Sequence, residues 1–148
     1  MHAEDIAEIQ QAAAQYSYVI NFCRLDRLDK VYSSDGVYDG TDSGVGVHDG
    51  IESIAGFLGS DERKASGGMH FTTNVLIDTW ADDGVSATGV AQFLIVHAER
   101  LTAGLRLTTG VYHDEWTKTA EGWRIGRRAS YVVASKSADF PWVALIDG

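Results

Sequence analysis

Between Ala3 and Phe22 apolar side chains recur at steps of three and four, at Ile6, Ile9, Ala13, Tyr16 and Ile20, behind an acidic first turn. That period predicts a long amphipathic helix. Leu25, Leu28, Val31 and Tyr32 predict a second, shorter helix that ends before Ser33-Ser34-Asp35-Gly36. Val37-Tyr38-Asp39 reads as a short strand, Gly40 to Gly50 as a glycine- and aspartate-rich loop, and Ile51 to Leu58 as a third helix. From His70 onward the period changes to two. Four long strands are expected, at 70–80, 85–99, 105–117 and 123–135, with turns at Asp82-Asp83-Gly84, Thr102-Ala103-Gly104 and Ala120-Glu121-Gly122. Helices followed by a strongly curved antiparallel meander make an α+β fold, a cone-shaped barrel in which the sheet wraps the first helix and leaves a mouth for a ligand.

The centre of this pattern is Gly67-Gly68-Met69-His70-Phe71-Thr72-Thr73-Asn74-Val75-Leu76-Ile77. Strict alternation places His70, Thr72, Asn74 and Leu76 on one strand face and Phe71, Thr73, Val75 and Ile77 on the other. With the apolar face packed, the polar face looks into the cavity. The polar run 59–68, rich in glycine and charge, is a candidate lid over His70.

A chain of 148 residues that is 45% hydrophobic can bury one core, so a single domain over 1–148 is expected: a mainly helical part at 1–58, the meander at 70–135 and a tail at 136–148. The aromatic tail segment Phe140-Pro141-Trp142 could close the mouth or dock on a second subunit. The net charge of -9 argues against nucleic-acid and anionic-membrane partners. One cysteine, Cys23, excludes an intramolecular disulfide. The start lacks a basic region followed by an apolar run, and no stretch reaches the length of a membrane span, so a cytoplasmic protein is expected. His48, His70, His97 and His113 are too dispersed for a metal motif, and Gly44-Val45-Gly46 lacks the strand-turn-helix setting of a nucleotide loop. Cofactor-independent proton transfer, or binding without turnover, remains.

Tyr112-His113-Asp114-Glu115-Trp116, followed by Gly122-Trp123-Arg124-Ile125 and Arg127-Arg128, resembles the last hairpin of the SnoaL-like group in the nuclear transport factor 2 superfamily. Tyr16-Ser17-Tyr18 with Asn21, Asp26 and Leu28 resembles its opening helices, and His70 with Thr73-Asn74 its central strand. The superfamily includes polyketide cyclases, ketosteroid isomerase, scytalone dehydratase, bile-acid dehydratase, hexachlorocyclohexane dehydrochlorinase and non-catalytic subunits. The resemblance implies a homodimer and a hydrophobic small-molecule ligand.

Among the dehydratase-like relatives a helix tyrosine lies five residues before an aspartate that pairs with the strand histidine as a general base. The resemblance assigns these positions to Tyr16, Asn21 and His70, so an amide stands where an acid is usual. An amide can orient an imidazole but cannot stabilise the imidazolium. Val96-His97-Ala98-Glu99-Arg100 resembles the segment that supplies a second histidine in scytalone dehydratase, which makes His97 a candidate partner; a rim histidine is the plain alternative. The expected catalytic set is therefore His70, Tyr16, Asn21 and His97, with Tyr16, Asn21, His70 and Tyr112 lining one pocket. Tyr112, Asn74, Thr72, Tyr38 and Trp116 form the expected substrate-binding set, although the plain reading of Tyr112 is a core aromatic. Arg127 and Arg128 alternate on the last strand, so at most one faces inward, and a solvated ladder accounts for both. Two functions stay open: a lyase, isomerase or cyclase acting on a hydrophobic oxygenated molecule, and a binding or assembly module that has lost its base.

Overall fold

A computed structural model describes residues 3–99 and 104–134. Helix α1 (Ala3–Asn21) is followed by a 3-10 helix (Leu25–Lys30), strands β1 (Tyr32–Gly40) and β2 (Gly46–Asp49), and helices α2 (Ile51–Leu58) and α3 (Asp61–Ser66). The long strands β3 (Met69–Trp80), β4 (Ser86–Glu99), β5 (Gly104–Thr119) and β6 (Gly122–Ala134) complete the fold. The sheet order is β2-β1-β6-β5-β4-β3. All neighbours are antiparallel except β1 and β6, which run parallel, so the sheet is mixed where a wholly antiparallel one was expected. The tail Phe140-Pro141-Trp142 and the turn at Thr102-Ala103 lie outside the described residues. Among the described residues no helix is long and apolar enough to cross a membrane.

The buried stripe of α1, Ile9, Ala12, Ala13, Tyr16 and Val19, packs with Leu28, Tyr32, Trp116, Trp123 and Ile125 in one core. Burying each large side chain of this kind stabilises the fold by about 1.5–3 kcal/mol. The strand β3 forms the sheet's outer edge, and α1 closes that edge chemically. Ser17 Oγ accepts from the Thr72 amide at 3.0 Å and shares a hydroxyl bond with Thr72 Oγ1 at 2.8 Å. One turn later Asn21 accepts from the His70 amide at 2.7 Å and donates to the His70 carbonyl at 2.8 Å. These two helix residues, four apart and so on one face, stand in for a missing strand partner.

Two expectations fail on β3 and just before it. The alternation slips at Asn74, which adopts a left-handed φ of 52°, while the pairing register jumps between Thr73 and Leu76. Asparagine tolerates that conformation, and the extra residue is a β-bulge that reverses facing beyond it. Hence His70 and Thr72 face inward, Asn74 and Leu76 are exposed, and Val75 and Ile77 take over the inner face. Phe71, expected in a packed layer, is exposed on the outer face. The second correction is that the run after Gly59 is not a loose lid throughout: residues 61–66 form α3, with Ser60 Oγ capping the Arg63 amide.

Candidate active site

The inner face of the sheet and the buried side of α1 enclose a cavity of about 230 Å³. It is lined by Tyr16, Tyr38, Tyr112 and Ser130 and by the apolar side chains of Phe57, Phe93, Ile95 and Val132. Four basic side chains also line it: His70, His97, Arg63 and Arg106. No aspartate or glutamate does so among the described residues.

His70 is buried. Its Nε2 lies 3.1 Å from an Nη atom of Arg63. A guanidinium has only donors, so Nε2 accepts and the proton of the neutral ring sits on Nδ1. That nitrogen faces the Gly68 backbone without completing a well-formed hydrogen bond. Burial, and then the Arg63 charge, push the imidazole down to about 4. The ring is therefore neutral at physiological pH and weakly basic. His97, opposite Arg106 on β5, is fixed by an Nδ1 bond of 2.8 Å to the Gly67 carbonyl, so it holds the glycine pair from which β3 starts. At Gly68 an added Cβ would come within 2.8 Å of the His97 ring, which explains the glycine at that close approach.

The phenols form a second group. Tyr112 stacks on Phe93 at 4.5 Å and meets Tyr16 edge-on at 5.6 Å. Burial holds the Tyr112 hydroxyl well above its ordinary pKa, and that of Tyr38 is pushed up to about 12, so both stay protonated donors. Tyr38 bonds Ser130 Oγ at 3.1 Å and stacks on Phe57, which in turn stacks on His48 at 4.2 Å. Behind Tyr16 and Tyr112 lies Arg128, fully buried, its guanidinium 4.2 and 4.1 Å from their ring centres. Asp114 receives Nε and Nη2 of Arg128 at 2.7 Å each. Burial opposes the Arg128 charge, but the Asp114 carboxylate outweighs it and raises the pKa.

The cavity thus gathers Tyr16, Tyr38, His70, His97 and Tyr112. It does not gather the other expected residues. Asn21 is spent on the His70 backbone and opens onto a neighbouring hollow of about 210 Å³ shared with His70 and His97, so it neither orients the ring nor shares a pocket with Tyr112. Thr72 is bound to Ser17. Asn74 is turned outward by the bulge and donates to Gln92. Trp116 shares the inner face of β5 with Tyr112, but four residues farther along, where it is buried in the core and off the cavity. The solvated ladder is overturned as well: Arg128 is internal, and the half-buried Arg127 pairs with Asp39. Arg106 and Asp114 lie at even steps from Tyr112, so strand parity alone could have found them once Tyr112 was placed inward. Arg63 had no such signal, because its position depends on α3.

The family model for the SnoaL-like domain matches residues 1–129. No curated protein sequence matches the chain. Among solved structures, an NTF2-like protein with a cystatin-like fold from Novosphingobium aromaticivorans superposes with a TM-score of 0.74 at 20% identity, over 91% of this chain and 86% of that one. A protein of unknown function with a cystatin-like fold from Nostoc punctiforme gives 0.73 at 21%, over 95% and 97%. The hexachlorocyclohexane dehydrochlorinase LinA-type3 from Novosphingobium barchaimii gives 0.71 at 14%, over 92% and 90%. At these identities the likeness is one of fold.

Proposed function

Since the chain belongs to the SnoaL-like domain family, we propose that it is a cofactor-independent acid–base enzyme, a lyase, isomerase or cyclase acting on a hydrophobic, oxygenated small molecule. The observation that carries this reading is a buried, neutral imidazole in one cavity with the phenols of Tyr16, Tyr38 and Tyr112. His70 Nε2 removes a proton from a carbon next to a carbonyl, and the electron pair moves onto the carbonyl oxygen. Tyr112 and Tyr16 supply hydrogen bonds to that developing oxyanion. The imidazolium is weakly held at a pKa near 4, so it returns the proton readily, either to another carbon or to a departing oxygen. So weak a base suits acidic protons only. Arg63 occupies the same lone pair and must shift before the ring can act.

A binding module is the second reading, favoured by the absence, among the described residues, of a carboxylate partner for the imidazole and by the engagement of Asn21 with backbone. Assembly as a homodimer through the outer sheet face belongs to either reading. It is supported by Met69, Phe71, Leu107 and Tyr131, which are 46–51% exposed on β3, β5 and β6.

Exchange of enolisable protons into D2O, followed by NMR over a panel of small aryl ketones and β-keto acids, tests the enzyme reading. Wild type should accelerate exchange of at least one compound, and His70→Gln should lose about a hundred- to ten-thousand-fold of that rate. Exchange indifferent to His70 would eliminate the mechanism.

A further inference from the structure

We propose that the cavity takes a single-ring carbonyl compound, and that Phe93, lying in the space left by Gly110, is the residue that sets the one-ring limit. The assignment of the cavity as the substrate site rests on the acid–base reading above. The limit itself is a matter of packing and is read from binding alone.

The inner face of β4 and β5 carries the argument. Their register pairs Ala87 with Trp116, Ala91 with Tyr112 and Phe93 with Gly110. Each of these pairs supplies one ring and one small partner, so a single layer of rings covers the face. In the first two the ring comes from β5. At the third the order inverts: the buried Phe93 is the ring, and it lines the cavity, whereas Ala91 and Gly110 do not. A Cβ added at Gly110 would lie 2.6 Å from Phe93 Cε1 and would also strike the Tyr131 carbonyl. The position therefore takes no side chain, and the Phe93 ring fills the space that one would occupy. Stacking on Tyr112 at 4.5 Å holds the ring there. Without it the pair has no side chain beyond a Cβ, and the cavity would run on over Gly110 to the backbone of β5.

Size follows from this arrangement. A cavity of about 150 Å³ accepts benzene, so about 230 Å³ accepts one ring with a short substituent and leaves no room for a second fused ring. The volume that Phe93 occupies is the volume a second ring needs.

Hydroxyl groups set the ligand's polar end. Tyr16, Tyr38, Thr108, Tyr112 and Ser130 all line the cavity. Burial keeps the Tyr38 and Tyr112 phenols protonated. Tyr38 and Ser130 together carry two hydroxyl hydrogens, and their mutual bond uses one. Such donors are matched by a carbonyl oxygen, which accepts through two lone pairs and brings no hydrogen of its own.

Calorimetric titration of the whole chain with acetophenone and with 2-acetonaphthone, which carry the same acetyl group on one ring and on two, tests the proposal. Wild type should bind acetophenone more tightly by about tenfold or more, the discrimination a closed apolar pocket gives. Phe93→Ala should reverse that preference. Phe93→Leu, which keeps the site apolar and filled in part, guards against loss of the fold and should move the ratio of affinities in the same direction. With acetophenone labelled by 13C at the carbonyl, binding should shift that resonance downfield, and Tyr112→Phe should reduce the shift. Equal affinity of the wild type for the two ketones, an unchanged ratio in folded Phe93→Leu, an unshifted carbonyl resonance, or no acetophenone binding at millimolar concentration would each overturn the proposal. A preference that switches with Phe93, with no proton exchange of any compound, would uphold the one-ring limit and remove the acid–base reading. His70-dependent exchange of a fused-ring ketone by the wild type would uphold that reading and overturn the limit.

Discussion

Replacing Asn21 with aspartate changes one atom group and restores the acid usual among dehydratase-like relatives, yet in this fold it should damage the protein. Asn21 both donates to and accepts from the His70 backbone, at 2.8 and 2.7 Å. Truncation to alanine removes both bonds, a loss of about 1–3 kcal/mol at about 0.5–1.5 kcal/mol each. A carboxylate keeps the acceptor but sets an anionic oxygen against the His70 carbonyl, at the C-terminal end of α1 where the helix dipole already disfavours negative charge. Asn21→Asp should therefore cost about 2–4 kcal/mol at pH 7. Protonation restores a donor, so the folded-state pKa of the introduced carboxyl is raised above its unfolded value of about 3.9. The penalty should thus be small below that value and grow as pH rises through the raised pKa. Urea unfolding of both proteins at pH 4.5 and pH 7, with backbone amide exchange at His70, measures this. A variant within about 0.5 kcal/mol of wild type at pH 7, the scatter of ordinary surface changes, would refute the backbone clamp. If the His70 pKa also rose above about 6.5, the carboxylate would have reached the ring and an acid–imidazole dyad would be back in force.

Asp114→Asn should destabilise by about 3–5 kcal/mol, because it strands the buried Arg128 charge; thermal unfolding reads the loss directly. His70 titrates near 6.5 unfolded and near 4 folded. Its contribution is thus fully present above the unfolded value and is lost as pH falls between the two, by about 3 kcal/mol; His70→Gln should flatten that part of the stability–pH curve. Light scattering should show a dimer at micromolar concentration that Phe71→Lys with Leu107→Lys converts to monomer, and a wild-type monomer would contradict docking through the outer face.

The period of the sequence revealed α1, α2 and the four long strands, because long amphipathic segments such as 3–22 and the glycine-marked turns leave few alternatives, whereas residues 32–50 were misread: Tyr32 belongs to β1, which runs to Gly40, and the expected loop at 40–50 contains β2. The parallel pairing of β1 with β6 left no trace in either strand's own pattern, since register between distant strands is a tertiary matter. Within the site, His70, Tyr16 and Tyr112 were legible from spacing and family resemblance. Asn74 and Leu76 were misplaced because one left-handed residue inverts the side chains that follow it, and alternation alone does not announce a bulge; Phe71 lies before the bulge and is exposed because the outer face of β3 is uncovered there. Asn21 was misread for a different reason. Its position implied a partner for the ring, but an amide carries both a donor and an acceptor, and the open backbone edge of β3 uses both. Arg63 became visible only with α3, whose polar sequence reads equally well as loop.

The chemistry turns on His70 being a neutral, weakly basic imidazole protonated on Nδ1, with its Nε2 lone pair at the cavity-lining Arg63. Nitrogen-15 NMR of histidine-labelled protein across pH measures tautomer and titration together. An Nδ1–H tautomer at pH 7 and a midpoint near pH 4 are expected. A ring protonated on Nε2, or a midpoint at about 6.5 or above, would contradict that state of the ring.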